Sequence, residues 1–169
     1  MVGDMKISRV IRHLFTPVWV ARRYFPARSL KAIEEEIRLA EAAHSGQIRF
    51  AVEAALDIHS LLMGKSARER AIEVFSLLRI WDTEHNNGVL IYLLLADHRV
   101  EVVADRGVHG HVGASGWEEV CRKMEDAFRQ GDFERGAIEG IRSVAAHLTR
   151  HFPASGAGGN ELPDQPVII

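Results

Sequence analysis

The stretch Asn86-Asn87-Gly88-Val89-Leu90-Ile91-Tyr92-Leu93-Leu94-Leu95 opens on two carboxamides and a glycine, then stays apolar to its end. A strand that alternates apolar and polar residues keeps one face wet, whereas one that is apolar throughout must be covered on both faces. This run therefore predicts a central strand. Directly upstream lie Trp81-Asp82-Thr83-Glu84-His85, so two carboxylates, an imidazole and two carboxamides crowd the start of that strand. Downstream, Asp97-His98 is expected to form a two-residue hairpin loop from which Val100-Glu101-Val102-Val103 returns as the next strand. In that register Asn86 faces His109, Asn87 faces Val108 and Gly88 faces Gly107, bringing the loop Asp105 to His111 against the first polar cluster. Any ligand or active site is expected there.

Working outward, Gln47 to Leu56 has apolar residues at Ile48, Phe50 and Val52, the alternation of a first strand. Ser66-Ala67-Arg68-Glu69 has capping-box spacing and opens a crossover helix that extends to about Ile80. Ser115-Gly116-Trp117-Glu118 repeats that spacing before a helix to about Arg129, and another helix runs from Asp132 to about His151. Upstream, Ser29 is expected to cap a helix from Leu30 to about Ala43. The order predicts an α/β fold, a mixed sheet with helices on its faces.

Residues 1–27 form an expected amphipathic extension before the main domain, residues 28–152. Ile7, Val10, Ile11, Leu14, Phe15, Val18 and Trp19 make one helical stripe, and Thr16-Pro17 breaks it into two helices or one kinked helix, with Thr16 as the expected cap. The stripe is expected to pack on the domain or on a second copy, the favoured reading over contact with a membrane surface. The total charge of −2 hides an imbalance: residues 1–31 carry seven basic residues against Asp4 alone, which leaves −8 on the remainder. Because that basic excess shares its segment with the apolar stripe, nucleic acid is not expected as a partner. Residues 153–169, rich in proline and glycine, read as a flexible tail, with addition of Val167-Ile168-Ile169 as a strand the lesser alternative. No apolar run is long enough for a membrane span, and the one cysteine, Cys121, reads as a plain thiol on a helix; a cytoplasmic protein is expected.

The strand start Asn86-Asn87-Gly88, the hairpin, Arg106-Gly107-Val108, and Phe128-Arg129-Gln130-Gly131-Asp132-Phe133-Glu134-Arg135-Gly136 resemble the TPM domain family across about residues 29–152. The resemblance implies a three-layer α/β/α sandwich with a short mixed sheet, preceded here by the amphipathic helical segment. It also implies a polar cleft where some relatives bind calcium and a plant relative has acid phosphatase activity. Relatives commonly carry an acidic residue late in the third strand and an aspartate before the next helix. Here those stretches read Val103-Ala104-Asp105-Arg106-Gly107 and Gly113-Ala114-Ser115, so a calcium or phosphatase site carried over from the family would have lost ligands or been rebuilt, with Asp105 and Arg106 the candidates for that rebuilding.

Asp82, Glu84 and Asp105, with the Asn86 and Asn87 carbonyls, are hard oxygen donors suited to calcium or magnesium. His85, His109 and His111 with one carboxylate would instead approach a zinc set. In a phosphatase, Arg106 would grip the phosphoryl group and His85 or His109 would protonate the leaving group. The same residues have a plainer reading, with Asn86 and Asn87 shaping the turn, Asp105 and Arg106 joining an ion network, and Trp81 and Trp117 closing the core. Glu41-Ala42-Ala43-His44 has the Glu-x-x-His spacing of di-iron helices, but only one copy exists; Glu53, late in the first strand, could face the cleft. A binding or assembly module whose polar cleft holds a divalent metal or an anion, with metal-dependent acid phosphatase as the alternative, is the functional expectation.

Overall fold

Strand β2 (Gly88–Leu94) is buried at every position, and β1 (Gln47–Glu53) beside it is buried likewise. The two run parallel, Gln47 facing Gly88 and Glu53 facing Leu94. In the computed structural model, which describes residues 2–154 and 159–169 and the side chains from residue 7 onward, these strands centre a four-stranded sheet ordered β3-β2-β1-β4. Strand β3 (Arg99–Ala104) is antiparallel to β2, and β4 (Val167–Ile168) is parallel to β1.

Alternation then assigns the layers. Ile48, Phe50 and Val52 with Val89, Ile91 and Leu93 face one core. Helices α2 (Val18–Tyr24), α3 (Ala27–Glu41), α6 (Arg106–Arg129) and α7 (Phe133–His151) cover it through residues such as Phe25, Ile33, Met124 and Ile141. Leu90, Tyr92 and Leu94 face a smaller core under α4 (Ile58–Leu62) and α5 (Ala67–Leu77). This is the α/β sandwich with a mixed sheet. The first helix, α1 (Val2–Leu14), and α2 form the helical N-terminus, broken at Thr16-Pro17.

The helix starts show which local signals act. Ser66 and Glu69 form the expected reciprocal capping box at α5. Pro17 and Pro26, not Thr16 and Ser29, occupy the N-cap positions of α2 and α3. Ser29 instead lies buried inside α3 and donates to Glu134 at 2.5 Å. The second expected box does not form: α6 starts at Arg106 under the Asp105 cap and kinks at Gly113 (φ 73°), which places Ser115 within a turn already begun.

The hairpin register differs from the expected one by two residues. Leu94 faces Arg99 across a four-residue loop, so Gly88 stands beside Asp105 and not Gly107. The cause lies on the other side of β2, where the successive Leu95 and Ala96 amides both donate toward β1, to the Glu53 and Ala54 carbonyls, which breaks the strand alternation and takes these two residues out of the pairing with β3 that a two-residue turn requires. The loop is then locked from α1. Arg9 donates to both Asp97 carboxylate oxygens, and His13 Nε2 lies 2.9 Å from Asp97 Oδ1. The Leu56 amide donates to His13 Nδ1, which leaves Nε2 to carry the ring proton toward Asp97. Burial opposes the Asp97 charge, but Arg9 and His13 outweigh it and hold the carboxyl below its ordinary range.

The chain ends differ from expectation in two ways. Of the apolar stripe of α1 and α2 only Val10 packs on the domain, beside Arg9 and His13, while Ile7, Ile11, Leu14, Phe15, Val18 and Trp19 are exposed in the single chain. At the other end, the described part of the segment read as a flexible tail returns to the sheet. Leu162 is buried, Arg49 donates to the Pro163 carbonyl, and the Ile169 amide donates to Val52. Along β3, the Val102 carbonyl accepts from Arg68 and the Val100 amide donates to Glu125.

Gly88 allows β2 to begin under the preceding turn, since a Cβ there would sit 2.1 Å from the Ile80 carbonyl oxygen. Gly88→Ala is expected to cost about 3 kcal/mol through forced backbone movement, lowering Tm by roughly 10 °C for a chain of this size. Calorimetry that shows Tm unchanged would mean the turn yields without cost.

Candidate ligand site

The backbone of the two polar loops does converge. The Asp105 amide donates to the Gly88 carbonyl at 2.9 Å, and Gly107 sits so close to the 85–86 turn that a Cβ would lie 2.6 Å from the Asn86 carbonyl oxygen. Asn86 adopts a left-handed conformation, φ 50°, which asparagine tolerates better than most residues. Asn86 therefore lies against Gly107, two residues from the expected partner His109.

The side chains separate into two groups. Asp82, Glu84, His85, Asn86, Arg106 and His109 are exposed and make no side-chain bonds to one another among the described residues. Trp81 is 52% exposed and does not close the core, whereas Trp117 is buried against His147 with ring centroids 5.4 Å apart. His111 turns away to stack on His151 at 5.0 Å. Among the described residues no three of His, Cys, Asp or Glu stand together as a ligand group, so neither Asp82, Glu84 and Asp105 nor His85, His109 and His111 are gathered.

The inward-facing groups are Asn87 and Asp105. Asn87 is completely buried; its Nδ2 donates to the Ser45 carbonyl at 2.7 Å, and its backbone amide donates to Thr83 Oγ1 at 3.1 Å. That pairing leaves Asn87 Oδ1 buried without a donor. Asp105 caps α6, Oδ1 accepting from the Arg106 amide, and its Oδ2 is likewise buried and unmatched.

Beside Asn87, across the Ser45–Gly46 backbone, stands His44, which the sequence reading set aside with Glu41. Its Nδ1 lies 3.1 Å from the Gly46 carbonyl and so carries the ring proton, leaving Nε2 as a buried acceptor without a donor. Burial lowers the His44 pKa and keeps the ring neutral. Glu41, His44, Ser45, Gln47, Asn160 and Asp164, with Arg38 at one side, line a pocket of about 180 Å³. Burial pushes the Glu41 carboxyl up to about 8 and Asp164 pushes it further in that direction, against the bond it accepts from the Ile48 amide. Gln47 Oε1 accepts from the Glu161 and Leu162 amides, and Glu161 accepts from the Glu84 amide, so the returning chain end walls this side. Sequence reasoning missed Ser45, Gln47, Asn160, Glu161 and Asp164. The only signal was Glu41-x-x-His44, which marks one helix turn and not a metal pair.

These elements define an α/β/α domain with its polar end where β1 and β2 begin. The chain belongs to the TPM domain family, which it matches over residues 18–147. It is similar to the BA42 protein of the psychrophilic bacterium Bizionia argentinensis, with a TM-score of 0.71 and 30% identity over 85% of this chain and 94% of that one. Its fold is also like that of the N-terminal domain of a protein from P. gingivalis, with a TM-score of 0.54 at 19% identity, covering 70% of this chain and 74% of that one. No curated protein matches the chain. No helix among the described residues is long and apolar enough to cross a membrane.

A carboxyl whose folded pKa is raised to about 8 from 4.5 favours the folded state below the unfolded value, and that contribution is lost as pH rises through about 8. Unfolding free energy is therefore expected to fall between these limits, and Glu41→Gln, which keeps the acceptor for Ile48, to flatten that slope. Urea titrations across this range check it; identical slopes for both proteins would remove Glu41 as the cause.

Proposed function

We propose that this TPM domain is a binding or assembly module whose polar end takes a hydrated divalent cation, calcium or magnesium. The observation that supports the reading is the chemistry of the unmatched buried atoms at that end. His44 Nε2, Asn87 Oδ1 and Asp105 Oδ2 are acceptors; the fourth unmatched buried atom among the described residues, the donor Trp117 Nε1, lies farther along α6 against His147. A buried acceptor without a donor costs about 1–3 kcal/mol, so the ligand that suits them brings donors or positive charge. Magnesium keeps several of its waters when it binds, and those waters are donors. Direct coordination by a full protein ligand set is then unnecessary, in keeping with the dispersal of Asp82 and Glu84.

The alternative, a metal-dependent acid phosphatase, asks this end to hold phosphate. Phosphate brings acceptors to acceptors, and the guanidinium meant to grip it, Arg106, is exposed and unpaired among the described residues. Binding is therefore favoured over hydrolysis.

Titration of the isotopically labelled chain with calcium, magnesium and inorganic phosphate, followed by amide chemical shifts, separates the readings. Cation-dependent shifts are expected at Ser45, Asn87, Gly88 and Asp105, weakened about tenfold or more in apparent affinity by Asp105→Asn, which retains a capping oxygen. Shifts at these amides with phosphate alone, or no shift with either cation, would defeat the proposal.

A further inference from the structure

The helices α1 and α2 leave six large apolar side chains in water: Ile7, Ile11, Leu14, Phe15, Val18 and Trp19. Phe15 is 81% and Trp19 61% exposed, on either side of the Thr16-Pro17 turn. This stripe is not the face by which α1 holds the fold. Arg9 and His13, bound to Asp97, point the other way around the helix, and Val10, at the edge of the stripe, is its one member packed on the smaller core. An apolar surface of this kind on a folded domain marks an interaction site.

We infer that the α1–α2 face docks on the surface of an anionic lipid bilayer. Charge selects this occupant. The first 31 residues carry seven basic residues against one acidic, while the rest of the chain carries an excess of eight acidic residues. Arg12 borders the stripe on α1, and Arg22 and Arg23 border it on α2; all three are exposed, and the latter two have no ion-pair partner among the described residues. Apolar and aromatic residues on one side with arginines flanking them make an interfacial helix, which lies in the headgroup region without crossing it. Tryptophan favours that depth. The acidic remainder is repelled by the same surface, which orients the molecule with its N-terminal helices toward the lipid. A second copy on this face would form an isologous contact, and its cationic border would bring like charges together.

Sedimentation of the full chain with vesicles tests the assignment. Binding is expected to vesicles of phosphatidylcholine mixed with phosphatidylglycerol, and to fall more than about tenfold on pure phosphatidylcholine or in about 1 M salt. Arg22→Gln with Arg23→Gln should weaken binding about fivefold per residue. Phe15→Ser with Trp19→Ser should abolish it while leaving circular dichroism and Tm unchanged, because both side chains are exposed. Equal binding to neutral and anionic vesicles, or none to either, would overturn the inference. So would a dimer in analytical ultracentrifugation that Trp19→Ser dissociates, which would assign the face to a second copy.

Discussion

Two parallel strands with no wet face set the terms for the whole chain. Because β1 and β2 are buried along their full lengths, the sheet needs cover above and below. The larger side receives it from the long helices α3, α6 and α7. On the other side α4 and α5 are short, and both ends of the chain complete the layer, Val10 from the first helix and Leu162, Val167 and Ile169 from the last residues. Polar groups on this side are matched: Arg70 forms a two-pronged pair with Glu53, and the Tyr92 hydroxyl donates to the same carboxylate at 2.6 Å. Removing one member of such a buried set strands the others, at about 3–5 kcal/mol.

The fold was legible because its signals are local and redundant. The apolar run of β2, the alternation of β1 and the Ser66–Glu69 box each follow from a few neighbouring residues. What escaped depended on residues far apart. The hairpin register turns on Leu95 and Ala96 bonding back to β1, and no pattern within the hairpin encodes it. The last residues read as a tail because glycine and proline resist regular structure, yet a two-residue strand asks little of propensity when an open sheet edge and an apolar hollow await it. The α1 stripe illustrates the converse limit, since periodicity shows that a helix has an apolar face without saying what covers it. Asn87 and Asp105 were legible as polar residues near a strand end, but the part played by His44 required knowing which backbone they share.

The polar end and the N-terminal helices lie at opposite ends of the sheet. Ser45 and Asn87 precede β1 and β2, whereas the Asp97 clamp that seats α1 follows β2. Seven residues of strand separate them, roughly 23 Å at the usual rise. The proposed ligand site and the proposed docking face would thus be held at a fixed separation by a strand that is buried along its whole length. That spacing suits a scaffold better than a site that must open and close.

The open side of β3 bears on how this protein meets others. An edge strand ordinarily presents free amides and carbonyls to any extended chain that passes. Here Arg68 occupies the Val102 carbonyl and Glu125 the Val100 amide, while the Cys121 thiol, its pKa pushed up to about 11 chiefly by burial, also reaches Val102. A peptide seeking to lengthen the sheet must first displace charged side chains from their bonds. Association is thereby steered away from strand addition and toward helix surfaces, and the same plug guards a sheet rich in valine, isoleucine and leucine against growing into fibres.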